Sequence, residues 1–288
     1  MPEYPEIAVR AREMNELLHG KTIAAVEVLQ PKCLNISEDQ FKETLAGAML
    51  RGTTQRGKWL VTDTTRGWLL LNMGMGGELL LVDRKHLPEK HRIILDFTDN
   101  TCLSVNFWWF GYAHYLPPGP LEAHEQLAKL GPNVLDVSEE QFHRMVRGQK
   151  TGVKAFLLDQ SRLAGIGNAY VHDILWLAKI HPLRKLNTLS DEEINGLWQG
   201  IQDGLRPSLE KGGAFYEISL RGEKGGFLME DIAVGYREGE PCRRCGAAIV
   251  KIKTGGTSSF ICPECQQFSS SAVGFAGRVA QKAGFTSS

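Results

Sequence analysis

The sequence has no run of about 18 or more apolar residues, so it carries no segment long enough for a membrane-spanning helix. Its opening, Met1-Pro2-Glu3-Tyr4-Pro5-Glu6, is acidic and lacks the apolar core of a secretory leader, so a cytoplasmic protein is expected. There is no excess of charge of either sign: 33 basic residues balance 33 acidic ones. Nucleic-acid binders often show a basic excess, so such a role would have to rest on local segregation. Basic residues do gather at 51–66, 147–154 and 237–253, and acidic ones at 122–140 and 191–193. No internal repeat is present, which excludes a solenoid or propeller array. Cysteine is scarce outside one short stretch. Cys33 and Cys102 stand alone and read as buried apolar filler. The other four of the six cluster near the end, where metal ligation is the better reading for a cytosolic chain.

What is present is enough apolar material, 42% of 288 residues, for two domains and a small third module. Residues 6–19 place Ile7, Val9, Met14, Leu17 and Leu18 along a helix that Gly20 stops. Short β-type segments follow at 22–29, 49–54, 58–63, 67–72, 78–82, 92–97 and 102–106, a spacing that predicts a β-sandwich or barrel. Prolines and glycines mark a linker over 117–136 with a helix inside it. Helical texture runs through 138–147, 150–158, 167–178 and 190–209, then glycine-rich loops over 212–226. The predicted division is a catalytic sandwich over 1–120, a linker over 121–149, a helical domain over 150–235, a zinc ribbon over 236–268 and a flexible tail over 269–288.

Cys242-Arg243-Arg244-Cys245 and Cys262-Pro263-Glu264-Cys265 are two knuckles separated by sixteen residues, which fits one tetrahedral zinc on a β-hairpin. Four thiolates leave no open position for water, so this zinc is expected to be structural. A ribbon this small depends on its metal to fold. The ribbon alone does not point to nucleic acid.

Removal of Met1 would make Pro2 a terminal secondary amine. An α-amino group titrates near 7.7–8.0, far below lysine, so much of it is neutral at physiological pH. Attack on a sugar C1′ would give an iminium, an electron sink that drives base loss and β-elimination, and Glu3 beside it could shuttle protons. Read alone, Pro2 and Glu3 equally well just precede a helix.

The combination of motifs resembles the formamidopyrimidine-DNA glycosylase / endonuclease VIII family over nearly the whole chain. Met1-Pro2-Glu3-Tyr4-Pro5-Glu6 is similar to its opening, with Tyr4 in place of the common leucine. Arg56-Gly57-Lys58-Trp59-Leu60 is similar to its catalytic-lysine strand. Gly165-Ile166-Gly167-Asn168-Ala169-Tyr170-Val171-His172-Asp173-Ile174-Leu175, with Ile180-His181-Pro182, is similar to its helix–two-turn–helix motif, and Gly239-Glu240-Pro241-Cys242 opens a matching zinc ribbon. The resemblance implies an α+β multidomain fold: an N-terminal β-sandwich with a leading helix, then a C-terminal helix–two-turn–helix domain and a β-hairpin zinc ribbon. It implies Pro2 as Schiff-base nucleophile, Glu3 as general acid/base, and Lys58 as a phosphate contact or an aid to elimination. Asn168, Lys150, Lys154 and His91 fall where the family contacts phosphate, with the glycines of the 165–168 turn letting backbone N–H groups approach it. Met75 falls where a side chain fills the gap left by the extruded nucleotide.

Two departures stand out. Where the family commonly has Asp-Pro-Arg-Arg-Phe-Gly, this chain has Asn106-Phe107-Trp108-Trp109-Phe110-Gly111. Phe110 keeps the wedge, but Trp108 and Trp109 would stack on an orphaned base where arginine would read its edge. Thr257 stands where the hairpin usually carries an arginine, with Lys251 and Lys253 as the nearest cations in sequence. Three functions remain in view: a bifunctional DNA glycosylase/AP lyase for oxidised or otherwise modified bases, a damage- or abasic-site-binding paralogue with little excision, and a protein-binding zinc-ribbon adaptor. The first implies a monomer in a bacterial-type cytoplasm, associated with the nucleoid. Its partner would be damaged DNA, as a duplex, single strand or bubble.

Overall fold

The computed structural model describes residues 1–108 and 110–268; Trp109 and the tail expected to be flexible, 269–288, lie outside the described residues. The chain opens with α1 (Tyr4–Leu18), β1 (Ile23–Val28) and α2 (Glu38–Leu45). Then come β2 (Leu50–Arg56), β3 (Trp59–Thr64), β4 (Gly67–Asn72), β5 (Glu78–Asp83), β6 (Ile93–Phe97), β7 (Thr101–Asn106) and β8 (Tyr112–Leu116). Two antiparallel four-stranded sheets result, ordered β1-β6-β7-β5 and β2-β3-β4-β8. All seven β-type segments expected from the sequence are strands, with ends within two residues. Helix α2 and strand β8 are additions to that pattern. For α2 the signal is a capping box: the Ser37 hydroxyl accepts from Gln40 N–H at 3.3 Å and the Gln40 side chain returns to Ser37.

Inward-facing residues of both sheets meet in one core: Leu95, Leu103 and Val105 from one, Leu60, Leu69 and Leu71 from the other. Ile7, Met14 and Leu18 of α1 and Phe41 of α2 close it. Cys33 and Cys102 are buried, as expected of apolar filler. The unbroken Leu69-Leu70-Leu71 run reflects a strand covered on both faces. Leu70 points away from the main core into a second cluster with Trp59, Val61, Leu116 and Leu127.

The helical half comprises α3 (Glu125–Ala128), α4 (Glu139–Val146), α5 (Val153–Leu158), α6 (Val171–Leu177) and α7 (Asp191–Glu210). The helix expected over 167–178 starts only at Val171, because the residues before it form a turn against α1. The segment expected as linker, 121–149, is more than a connection: Val134, Val137, Phe142 and Val146 pack into the helical core. The zinc module is a hairpin of β9 (Val250–Thr254) and β10 (Thr257–Ile261), seated on Trp176, Ala233 and Val234. No described helix is long and apolar enough to cross a membrane.

Candidate active site and zinc module

Pro2 and Glu3 are buried at the N-terminal end of α1. The Glu3 carboxylate accepts hydrogen bonds from the backbone N–H of Gly167 (2.6 Å) and of Ala169 (2.8 Å). A Cβ on Gly167 would lie 2.2 Å from Glu3 Oε1 and 2.5 Å from Lys58 Nζ, so the carboxyl and the ammonium both close over this glycine. Gly165 has φ +117° and passes under Tyr4, whose N–H donates to its carbonyl at 3.0 Å. Tyr4 itself enters the helical core, while Ile7, three residues on, enters the sandwich core. The chain opening is therefore pinned between the two halves. Tyrosine in place of leucine keeps that apolar plug.

Burial holds the Glu3 carboxyl above its ordinary value, against the pull of Lys58 and the two backbone donors. Burial likewise lowers Lys58, against the pull of Glu3 and Glu6. Burial thus disfavours the charged form of both groups and brings them closer to exchanging a proton than an exposed carboxylate and lysine are. Lys58 sits on the β2–β3 turn beside Gly57, whose φ is +57°. Gly57 N–H donates to Asn133 Oδ1 at 2.7 Å, and Asn133 Nδ2 donates to the Gln55 carbonyl at 3.3 Å. Asn133 thereby ties the lysine turn to the connecting segment. Beneath it, Glu6 accepts from Glu3 N–H at 2.9 Å, from the Tyr170 hydroxyl and from Ala214 N–H.

The four cysteine Sγ atoms lie within 4.8 Å of one another. Backbone N–H groups of Arg244 and Cys265 donate to Cys242 and Cys262 Sγ, each at 3.4 Å, and Trp176 Nε1 donates to Cys242 Sγ at 3.3 Å. Such donors suit thiolates. Burial pushes Cys242 up, yet these donors bring it to about 6. Cys265 is pushed to about 12 by burial and by its thiol neighbours. Four thiols this close cannot all ionise unaided, and a divalent cation removes the conflict. The donor set, all sulfur and tetrahedral in number, is that of one structural zinc.

Three family models match the chain in order: the formamidopyrimidine-DNA glycosylase N-terminal domain over residues 1–106, its H2TH domain over 130–219, and a zinc finger found in FPG and IleRS over 239–267. The chain is 35% identical over 269 residues to the formamidopyrimidine-DNA glycosylase of Lactiplantibacillus plantarum, covering 91% of this chain and 98% of that one. With the Lactococcus lactis subsp. cremoris protein of the same name, identity is 30%, covering 93% and 100%. A Lactococcus lactis Fpg (MutM) solved with DNA containing N7-benzyl-Fapy-dG superposes with a TM-score of 0.86 at 31% identity, covering 92% of this chain and all of that one. This chain belongs to the formamidopyrimidine-DNA glycosylase family.

Against that family background, the remaining expected residues fall at different places. Met75, Trp108 and Phe110 project from neighbouring loops, at 49%, 62% and 70% exposure, and Trp108 N–H donates to the Met75 carbonyl at 3.0 Å. Phe107, not Trp108, fills the core. Lys150 is exposed. His91 is half-buried, and its Nδ1 pairs with the Pro88 carbonyl at 2.8 Å, which makes Nδ1 the donor. Asn168 Oδ1 is buried with no partner among the described residues. Lys154 is only 3% exposed; its Nζ donates to Thr254, Thr257 and Ser259 hydroxyls and to the Ser258 carbonyl, at 2.6–3.1 Å. The cation at Thr257 is thus Lys154, rather than Lys251 or Lys253. Both glycines of the 165–168 turn spend their own N–H groups within the protein: Gly167 donates to Glu3, and Gly165 to Gln160 at 2.9 Å. Sequence reasoning passed over Glu6, Asn133 and Tyr170. Glu6 and Tyr170 lie inside the opening and helix–two-turn–helix motifs and so carried a usable signal; Asn133 carried none.

Proposed function

We propose that this chain is a bifunctional DNA glycosylase and AP lyase acting on oxidised or otherwise modified bases. The observation that carries this reading is the joint closure of Glu3 and Lys58 over Gly167, beside the buried Pro2. After Met1 is removed, the Pro2 nitrogen would attack C1′ of an extruded nucleotide. The C1′–base bond breaks, and the base leaves with a proton. The nitrogen loses its proton and its lone pair opens the C1′–O4′ bond, with O4′ taking up a proton; the iminium so formed acidifies C2′, and removal of a C2′ proton expels the 3′ phosphate by β-elimination. Glu3, its carboxyl raised above the ordinary value by burial, is the group to relay protons to and from the sugar. Lys58 supplies positive charge where the phosphate oxyanion develops.

Met75, Trp108 and Phe110 are placed to enter a duplex from which the nucleotide has been drawn. Trp108, with Trp109 beside it in sequence, offers stacking where arginine would read an edge, so opposite-base discrimination should be weak. Lys150, His91 and Asn168 serve as phosphate contacts. Lys154 contributes from beneath the hairpin tip, which it orders. The reading also supports the division of labour expected above: reacting groups on residues 1–120, duplex grip on 150–235 and 236–268. It places a monomer at the bacterial nucleoid. Single-turnover assays on one lesion opposite each of the four bases separate excision from mere recognition. Release of free base together with nicked product is expected. Tight binding without base release would favour the damage-binding paralogue.

A further inference from the structure

We propose that Tyr170, backed by Ser208, is a positioning residue for the Pro2 nucleophile: its hydroxyl fixes the Glu6 carboxylate, which in turn holds the Pro2–Glu3 peptide in place. This rests on the reading above that the reaction starts at the Pro2 nitrogen, and it names two residues outside the reacting set on which that nitrogen depends.

Glu6 has a local duty. Its side chain reaches back to the N–H of Glu3, just ahead of α1, at 2.9 Å, an arrangement that caps many helices. That duty uses one carboxylate oxygen, Oε2. The other, Oε1, meets donors from distant parts of the chain: the Tyr170 hydroxyl just ahead of α6, the Ser208 hydroxyl in the last turn of α7 at 3.4 Å, and Ala214 N–H beyond that helix at 3.3 Å. A helix cap calls for none of these, and they come from 164 to 208 positions away. All three side chains are buried: Glu6, Tyr170 and Ser208 are 2%, 4% and 0% exposed.

The protons set the order of the chain of bonds. The Glu6 oxygens accept throughout, and each hydroxyl has one proton to give. Tyr170 gives its own to Glu6. Ser208 Oγ lies 2.6 Å from the Tyr170 oxygen but 3.4 Å from Glu6 Oε1, so its proton goes to Tyr170. The bonds run from Ser208 to Tyr170 to Glu6, each donor polarised by the one behind it. Burial first, then the neighbouring Glu6, hold the Tyr170 phenol well above its ordinary value, which keeps it a donor.

Glu6 Oε2 then grips the N–H of the peptide that joins Pro2 to Glu3. The pyrrolidine ring hangs from that peptide, so the direction of its nitrogen follows from it. The Glu3 carboxylate is held separately, by Gly167 and Ala169. Without the Tyr170 proton, Oε1 keeps only the longer contacts at 3.3 and 3.4 Å, and the carboxylate is free to swing. Attack on C1′ needs the reacting atoms about 3–3.5 Å apart and aligned, and a misplacement of about 1 Å costs about a hundredfold.

The test is single-turnover borohydride trapping on abasic-site DNA, with affinity for DNA carrying a tetrahydrofuran abasic analogue measured alongside, all proteins lacking Met1. Tyr170→Phe deletes one oxygen and keeps the ring against Phe227. Its trapping rate should fall about ten- to a hundredfold while affinity for the analogue is unchanged. Ser208→Ala should lose less, and Tyr170→Phe/Ser208→Ala no more than Tyr170→Phe alone, because Ser208 acts through Tyr170. A role in folding alone would lower affinity together with rate, and two independent packing defects would add. An unchanged rate in Tyr170→Phe, a loss of affinity as large as the loss of rate, or additive losses in the double variant would overturn the assignment. If Tyr170→Phe does not fold, Ser208→Ala carries the test: slower trapping at unchanged affinity supports the proposal, and an unchanged rate contradicts it. Absence of trapping in the parent protein would instead sink the reading on which the proposal rests.

Discussion

Gly167 shows what a single missing Cβ does at this site. Its N–H holds the Glu3 carboxylate, and its bare α-carbon leaves room for both that carboxylate and the Lys58 ammonium. Gly167→Ala must displace one or both. A positioned proton-transfer group contributes about 10²–10⁴-fold, so abasic-site cleavage by Gly167→Ala should drop on the order of a hundredfold. An unchanged rate in a folded variant would show that Glu3 is not the proton relay. At this scale the sequence was partly legible. Pro2, Glu3, Lys58 and Gly167 lie in recognisable motifs, but the hold of the Gly167 N–H on the Glu3 carboxylate was not read. Nothing local distinguishes an N–H turned outward from one turned onto a residue 164 positions earlier. Lys154 misled in the same way. A lysine in a basic stretch reads as free, yet this one is saturated by hairpin acceptors, and burial lowers it to about 8.

At the scale of elements, two contacts hold the parts together. The first joins β8 to the segment leading into α3. His114 Nδ1 and His124 Nε2 are 2.8 Å apart, and His124 Nδ1 accepts from Leu127 N–H, so Nε2 of His124 carries the proton and donates. Both rings pack near Trp59, next to Lys58. Burial holds both imidazoles below their ordinary value, His114 at about 4. Folding-linked depression of a histidine means that the folded form binds fewer protons than the unfolded one. The stability it contributes is present above about pH 6.5 and is lost as pH falls toward about 4. The thermal midpoint should therefore fall over that window, and less so in a His114→Phe/His124→Phe double variant, which keeps the rings and loses the protons. Parallel losses in the two proteins would contradict the assignment. Neither histidine was singled out from sequence, because the pair forms only when β8, itself weakly patterned, lies beside the segment at 121–124.

The second contact is the zinc hairpin, whose four ligands were read from their spacing but whose partner Lys154 was not. Its tip is ordered by Lys154, and its knuckle takes a hydrogen bond from Trp176 of α6. Cys262→Ser should lose the metal, loosen the hairpin and weaken DNA binding, while the sandwich stays folded. Zinc content and DNA affinity measured on one preparation check this; full occupancy with unchanged affinity would refute it.

Across the whole molecule, the groups proposed to react lie on residues 1–120 but are held by both halves. Pro2 and Glu3 precede a helix whose first residue plugs the helical core and whose later turns pack in the sandwich. Lys58 comes from the sandwich, and the carboxylate's donors come from the helical half. The site is therefore assembled by docking, which accounts for what the sequence could and could not show. Most strands and helices, though not α2 and β8, and the metal site depend on local pattern and spacing, and they were legible. The contacts from Asn133, Tyr170 and the 212–227 loop span 76 to 208 positions of chain and were not. The central claim is that the reaction starts at the nitrogen of Pro2. The most direct measurement is borohydride trapping on abasic-site DNA with two preparations, one lacking Met1 and one with Met1 retained so that the Pro2 nitrogen is an amide. A covalent adduct is predicted for the first and none for the second. An equal yield of adduct from the blocked protein would assign the nucleophile to a lysine and contradict the account.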